Sequence, residues 1–218
     1  MSKKAKALII VAAALFLALA GVATYFLIYY RTVRVPTGGM ANTIISGDRL
    51  LCRMYAGEIK RGDIVMFKLP TDPKVMYLKR VIGLPGETIQ VKGHRVFVDG
   101  KELPEERALI SLANPQAPQL PVVKVEPKPQ GAWYRVFYDV ERYSDNDDFE
   151  INTRAVYGIA EPYRIQPGNY FVLGDSRDNS EDSRYWGTVP RELIVGKPIT
   201  IIDSAAKGAE ARLFKPLK

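Results

Sequence analysis

The chain begins with an apolar run of a kind that does not recur. Residues 7–30, ALIIVAAALFLALAGVATYFLIYY, are 24 uncharged and mostly apolar positions. A helix rising about 1.5 Å per residue needs about 20 residues to cross the hydrocarbon of a bilayer, so the run is long enough to span one. Tyr25, Tyr29 and Tyr30 cluster at its far end, where amphipathic rings favour the water interface. A cleaved signal peptide is the competing reading, with Lys3, Lys4 and Lys6 as its basic start and Ala18-Leu19-Ala20 as an A-x-A-like cleavage site. The apolar run continues ten residues past Ala20, which favours a retained transmembrane helix over residues 7–30.

Beyond the helix the hydrophobic period becomes two. Arg49–Met54, Asp63–Lys68, Met76–Ile82, Thr88–Val91, Arg95–Val98, Asn169–Leu173 and Pro198–Ile202 are short, rich in β-branched and aromatic residues, and separated by Gly-Asp, Pro-Gly or Asp-Gly turns. Residues 31–218 are therefore expected to form a mainly β domain. Residues 112–130 hold five of the fifteen prolines and predict an extended connector. Residues 131–168 are expected to add a small β insertion before the main sheet resumes at Gly168.

Charge adds an orientation. Three lysines and the α-amino group precede the helix, while Arg31 and Arg34 follow it. This bias favours a cytoplasmic N-terminus, residues 1–6, and an extracytoplasmic domain anchored by a single pass. The net charge of +7 fits attraction to anionic membrane lipid better than nucleic-acid binding, because the basic residues are spread along the chain and are not stacked with aromatics on one segment.

Scarce residue types narrow the chemistry. With one Cys and one His, no intramolecular disulfide can form, and a zinc site built from Cys and His is excluded. Cys52 reads as a small buried apolar residue, and His94, in Val91-Lys92-Gly93-His94-Arg95, as an exposed hairpin-turn histidine. Any nucleophilic chemistry needs another base. Lys79 is a candidate: on a strand it shares its face with Tyr77 and Val81, while Arg80 lies with Leu78 and Ile82 on the other. One of the two adjacent cations must sit among apolar side chains, and a desolvated lysine can act as a neutral base. A lysine snorkelling from a half-exposed strand is the alternative. The polar stretch from Gly174 to Gly187 predicts a loop held by Asx turns and Asp/Arg pairs. A calcium loop through Asp175, Asp178 and Asp182 is opposed by its two arginines and lacks EF-hand spacing, so no metal or organic cofactor is implied.

Four stretches together resemble the type I signal peptidases, membrane-anchored serine endopeptidases with a Ser/Lys dyad: VPTGGMANTIISGD at 35–48, RGDIVMFKLP at 61–70, YLKRVIGLPGE at 77–87 and GDSRDNSEDSRYWGTVP at 174–190. Their order and spacing follow the family, and the similarity runs through most of the chain, anchor included. The resemblance implies a signal-peptidase-like β-ribbon domain at the outer face of the bacterial inner membrane. It implies secretory preproteins as substrates, cleaved after a small-x-small signal peptide that lies as an extended strand beside Val35 and Pro36, with Met40 also in the binding site. Lys79 matches the general base, Ser180 and Asp182 the residues that orient it, and Thr37 the hydroxyl that supports the oxyanion. The nucleophilic serine falls on Gly39, and Asn42 stands where proline is usual.

Glycine keeps the backbone N–H that would line an oxyanion hole, but it cannot form an acyl-enzyme. Three readings stay open. The chain works through Thr37 or another nearby hydroxyl, it is a non-catalytic homologue that binds preproteins or a partner peptidase, or it is an active enzyme whose serine was replaced. Retention of Lys79, Ser180 and Asp182 counts against long drift after loss of function, since a lysine in an apolar pocket is costly to keep.

Overall fold

The computed structural model describes residues 2–55, 57–112, 121–143, 155–159, 161–204, 206 and 212–217. Helix α1 spans Lys3–Tyr29, its first turn capped by the Ser2 hydroxyl, which accepts from the Ala5 N–H. None of its residues is buried. It is long and apolar enough to cross a membrane. It starts four residues before the expected boundary, because flanking lysines have good helix propensity. It stops one residue early: Tyr30 is extended and opens strand β1 (Tyr30–Arg34), so helix passes into sheet without a loop.

The strands that follow are β2 (Arg49–Arg53), β3 (Ile64–Leu69), β4 (Asp72–Gly83), β5 (Thr88–Lys92), β6 (Arg95–Val98), β7 (Lys101–Glu102) and β8 (Glu106–Ile110). After them come β9 (Val122–Val125), β10 (Arg135–Asp139), β11 (Tyr163–Arg164) and β12 (Asn169–Leu173). A 3₁₀ turn at Arg177–Asn179 and the short helix α2 (Ser183–Trp186) precede β13 (Val189–Pro190) and β14 (Ile194–Asp203). The main sheet has the order β1-β2-β14-β3-β4-β12-β13, flanked by a four-stranded sheet β11-β5-β6-β7 and a three-stranded sheet β10-β8-β9.

Strand β4 joins the two halves of the domain's character. Its first five residues are exposed and its last five buried, so it starts as one arm of a projecting hairpin with β3 and ends inside the core. There Val81 and Ile82 pack on opposite faces. Ile82 joins a core with Ile89, Val96, Ile165 and Phe171, and Val81 joins Val65, Phe67, Val172 and Val189. Each large side chain so buried contributes about 1.5–3 kcal/mol. A third cluster, Val35, Met40, Ile44, Leu50, Cys52 and Met66, anchors the segment between β1 and β2. Cys52 is fully buried, and desolvation pushes its thiol up to about 12, which makes it the inert apolar residue expected.

Two expectations gain detail and one needs correction. In the extended connector expected at 112–130, the run Val122-Val123-Lys124-Val125 pairs antiparallel with β8 as β9, while residues 113–120 lie outside the described residues. The insertion expected at 131–168 contributes β10, which pairs in parallel with β8, and β11, which pairs with β5; residues 144–154 and 160 lie outside the described residues. His94 is buried, not exposed. The insertion covers its turn, setting Tyr138 and Tyr143 against the imidazole with ring centroids 4.7 and 4.5 Å away.

Candidate active site

The site is built where the buried end of β4 meets the loop that leaves β12. Lys79 and Arg80 are adjacent on β4, and both are buried, at 6% and 0% exposure. Only one cation was expected among apolar side chains. Arg80 is accommodated because its guanidinium donates to both carboxylate oxygens of Asp175, at 2.8 and 2.6 Å, and to the Gly62 carbonyl at 2.7 Å. A bidentate Arg–carboxylate pair satisfies most of the donors that burial would otherwise orphan. The same Asp175 accepts from the Thr43 hydroxyl at 2.6 Å. One carboxylate therefore joins β4, the loop after β12 and the turn after β1.

The loop itself closes through a second carboxylate. Asp182 accepts from the Gly174 N–H at 3.0 Å and from the Arg184 guanidinium at 2.8 and 2.9 Å, and it caps α2. Ser183 Oγ accepts from the Val172 N–H at 2.9 Å. A third buried pair, Arg177 with Glu105 at 2.8 Å, ties the loop to the residues that enter β8. The Asp/Arg pairs expected in this stretch are thus present. Their order is greater than a plain loop, since two short helical turns form inside it. The calcium reading gains no support from the fold. Asp175 and Asp182 each face a guanidinium, and Asp178 accepts from the Asp139 N–H at 2.7 Å.

These ties bring Lys79, Ser180 and Gly39 together. Lys79 Nζ donates to Ser180 Oγ at 2.9 Å. Burial lowers the Lys79 pKa from 10.5 to about 8; the nearby Asp182 charge opposes the shift and Arg184 reinforces it. Burial alone would raise the Asp182 pKa, but the Arg184 charge and hydrogen bonds, with Lys79, hold it below the usual carboxylate range. Gly39 sits in a turn closed by the Ala41 N–H donating to the Gly38 carbonyl at 2.8 Å, and its own carbonyl accepts from the Ser176 N–H at 3.3 Å. A Cβ on Gly39 would stand 2.8 Å from Lys79 Nζ, 3.5 Å from the Asn179 carbonyl and 3.7 Å from Ser180 Oγ. Gly39 is not among the positive-φ glycines, so its backbone admits a side chain once the flexible lysine end retreats slightly.

A cavity of about 610 Å³ runs past this point. Val35, Pro36, Thr37, Gly39, Met40, Lys79 and Ser180 all line it, as do Met66, Met76 and Tyr77 from the β3–β4 hairpin. Val35 and Met40 are buried, whereas Pro36 and Thr37 are exposed. Asp182 is not among the residues that line the cavity; it lies behind them, bonded to Gly174 and Arg184. Gly174 has a strict steric reason, because a Cβ there would overlap Ser180 Oγ and the Gly39 carbonyl oxygen. Sequence reasoning missed Asn179, whose side-chain nitrogen lies 3.5 Å from where a Cβ of Gly38 would be. The only available signal was its place one residue before Ser180.

Comparison with known proteins gives a consistent neighbourhood. The family described as signal peptidase, peptidase S26, matches residues 7–202. A signal peptidase I of Pseudomonas aeruginosa is 30% identical over 195 residues, covering 77% of this chain and 63% of that one. One of Rickettsia canadensis is 31% identical over 187 residues, covering 75% and 68% respectively. This chain thus spans about 63% of the length of the Pseudomonas relative. A crystal structure of a signal peptidase I from Enterococcus faecalis aligns with TM-score 0.40 and 25% identity, over 66% of this chain and 98% of that one.

The buried pair makes a direct stability prediction. Asp175→Ala leaves the Arg80 guanidinium buried without its counter-charge and is expected to cost about 3–5 kcal/mol. Arg135→Ala, which removes the partly exposed pair with Glu106, should cost no more than about 0.5–1 kcal/mol. Guanidinium unfolding in detergent, followed by Trp133 and Trp186 fluorescence, measures both; equal small losses would contradict the role given to Asp175.

Proposed function

The chain belongs to the signal peptidase family, peptidase S26, and on that premise we propose that it is a membrane-anchored endopeptidase that removes signal peptides from secretory preproteins. The observation that carries this reading is the position of the Lys79 amine. It lies 2.8 Å from where a side chain at Gly39 would begin, beside a cavity of about 610 Å³. In this assignment Lys79 is the general base, and Gly39 stands where the family's nucleophilic serine belongs. Ser180 and Asp182 orient the lysine, Thr37 supports the oxyanion or substitutes as nucleophile, and Val35, Pro36 and Met40 contact the bound strand. A neutral amine suits a base that must accept a hydroxyl proton near neutral pH. The apolar part of the lining, Val35, Met40, Met66 and Met76, suits the small residues that precede a signal-peptide cleavage site.

A second reading is favoured by one specific fact. Gly39 carries no hydroxyl, so the cavity is also that of a homologue that binds preproteins, or a partner peptidase, without turning them over. For either reading the domain, residues 31–218, lies outside the bacterial inner membrane, with residues 7–30 as the span and residues 1–6 in the cytoplasm. The lysines before the span support that orientation.

Two outcomes test these readings. Gly39→Ser is expected to raise preprotein cleavage about 10²-fold or more, because it adds a nucleophile to a site that already holds the base, and Thr37→Ala should lower whatever cleavage is present. An unchanged rate in Gly39→Ser would mean that the reacting centre is not at Gly39. Binding of signal peptide without cleavage by either form would support the non-catalytic reading. Protease added to intact spheroplasts should digest residues 31–218, and protection of the domain would reverse the orientation.

A further inference from the structure

The cluster around Gly39 contains a hydroxyl that is placed for chemistry of its own. Resting on the peptidase reading, we propose that Ser180 is the nucleophile of this chain: its Oγ, held against the Lys79 amine at the cavity wall, attacks the scissile carbonyl in place of the serine missing at position 39. Three observations lead there.

The first is contact with the base. Ser180 Oγ is 2.9 Å from Lys79 Nζ, the separation at which a hydroxyl proton passes to a neutral amine. Thr37 is exposed in the turn, while the hydroxyl paired with the lysine is that of Ser180. Protonated Lys79 donates to this oxygen; once the amine is neutral the bond reverses and the hydroxyl donates. The second is access. Ser180 lines the cavity, and its Oγ lies 3.7 Å from the point where a Cβ of Gly39 would project. A side chain at 39 would crowd the space beside Lys79 and Ser180; glycine leaves that space open, and a carbonyl carbon needs to come only within about 3–3.5 Å. The third is a fixed geometry. Gly174 touches Ser180 so closely that no larger residue fits, and Asp182 holds Gly174 through its N–H at 3.0 Å. The Asn179 side-chain amide lies beside Gly38, and both residues line the same cavity, so a donor suited to a developing oxyanion is at hand.

The step balances. The Ser180 O–H proton moves to neutral Lys79 Nζ as Oγ bonds to the carbonyl carbon. The C–N bond then breaks, and the Lys79 ammonium gives its proton to the leaving amine. The remaining ester on Ser180 is attacked by water. Lys79 takes one of the water's protons as the water oxygen bonds to the acyl carbon, the acyl C–O bond breaks, that proton passes to Ser180 Oγ, and the freed peptide leaves as a carboxylic acid that gives its remaining proton to solvent. The reacting oxygen then lies beside the place a side chain at 39 would take, against the same lysine.

The test uses the full-length chain in detergent with an Ala-x-Ala p-nitrophenyl ester peptide, acid-quenched and digested for mass spectrometry. The acyl group is expected on the fragment Asp178–Arg184, localised by fragmentation to Ser180 and not to Ser183. Ser180→Ala should abolish the adduct and lower turnover about 10²-fold or more. Ser180→Cys should move it to a thioester that hydroxylamine releases, a result that a merely lysine-orienting role would not produce. An adduct on Thr37 or Lys79, or full turnover by Ser180→Ala, overturns the proposal. Gly39→Ser separates the two levels. If that variant acylates at position 39 while the parent chain acylates nowhere, Ser180 is not the nucleophile and the peptidase reading stands. If neither form acylates nor cleaves, the peptidase reading fails and this proposal with it.

Discussion

A guanidinium cannot escape burial by losing its proton. Arg80 is fully buried in the interior half of β4, and its charge persists at every pH the protein meets. It must therefore be matched by an anion with the right bite, and Asp175 supplies both oxygens. That requirement organises the rest of the site. Asp175 opens the loop after β12, so satisfying Arg80 pins the loop to β4. Asp175 also takes the Thr43 hydroxyl, which draws in the turn that carries Gly39. Three segments distant in sequence converge because one strand buries a charge it cannot discharge.

Lys79, one residue earlier, solves the same problem differently. Its amine can release a proton, and burial pushes it toward doing so. Asp182 is close enough to oppose that tendency, but its carboxylate is already engaged by Arg184 on both oxygens. A free carboxylate in its place would hold the lysine charged. The pairing of Asp182 thus closes the loop, and desolvation outweighs its charge at Lys79. The outcome is a site with a poised amine, a hydroxyl in contact with it, an amide donor nearby and a glycine where the amine has room to advance.

Much of the fold was legible because its signals are local. The apolar run of α1 and the alternating patterns of β2 to β6, β12 and β14 announce themselves within a few residues. Strand β1 did not, because Tyr-Arg-Thr-Val-Arg carries no clean alternation and follows the helix without a break; its strand state comes from pairing with β2. The parallel pairing of β8 with β10 and the burial of His94 depend on an insertion folding back, which no short window contains. The site divides along the same line. That one of Lys79 and Arg80 must be buried follows from alternation, but that both are follows from Asp175, 95 residues later. The Lys79–Ser180 contact spans 101 residues, and only the resemblance to a family brought those two positions together in advance.

Burial brings the Lys79 amine down to about 8, so that a share of it is neutral near physiological pH where an ordinary lysine is wholly charged. The most direct measurement is an NMR titration of the full-length chain in detergent, with lysine Nζ labelled and Lys79 assigned by comparison with Lys79→Arg. One lysine is expected to titrate near 8, apart from the others. A Lys79 resonance that titrates near 10.5, the ordinary value, would contradict it.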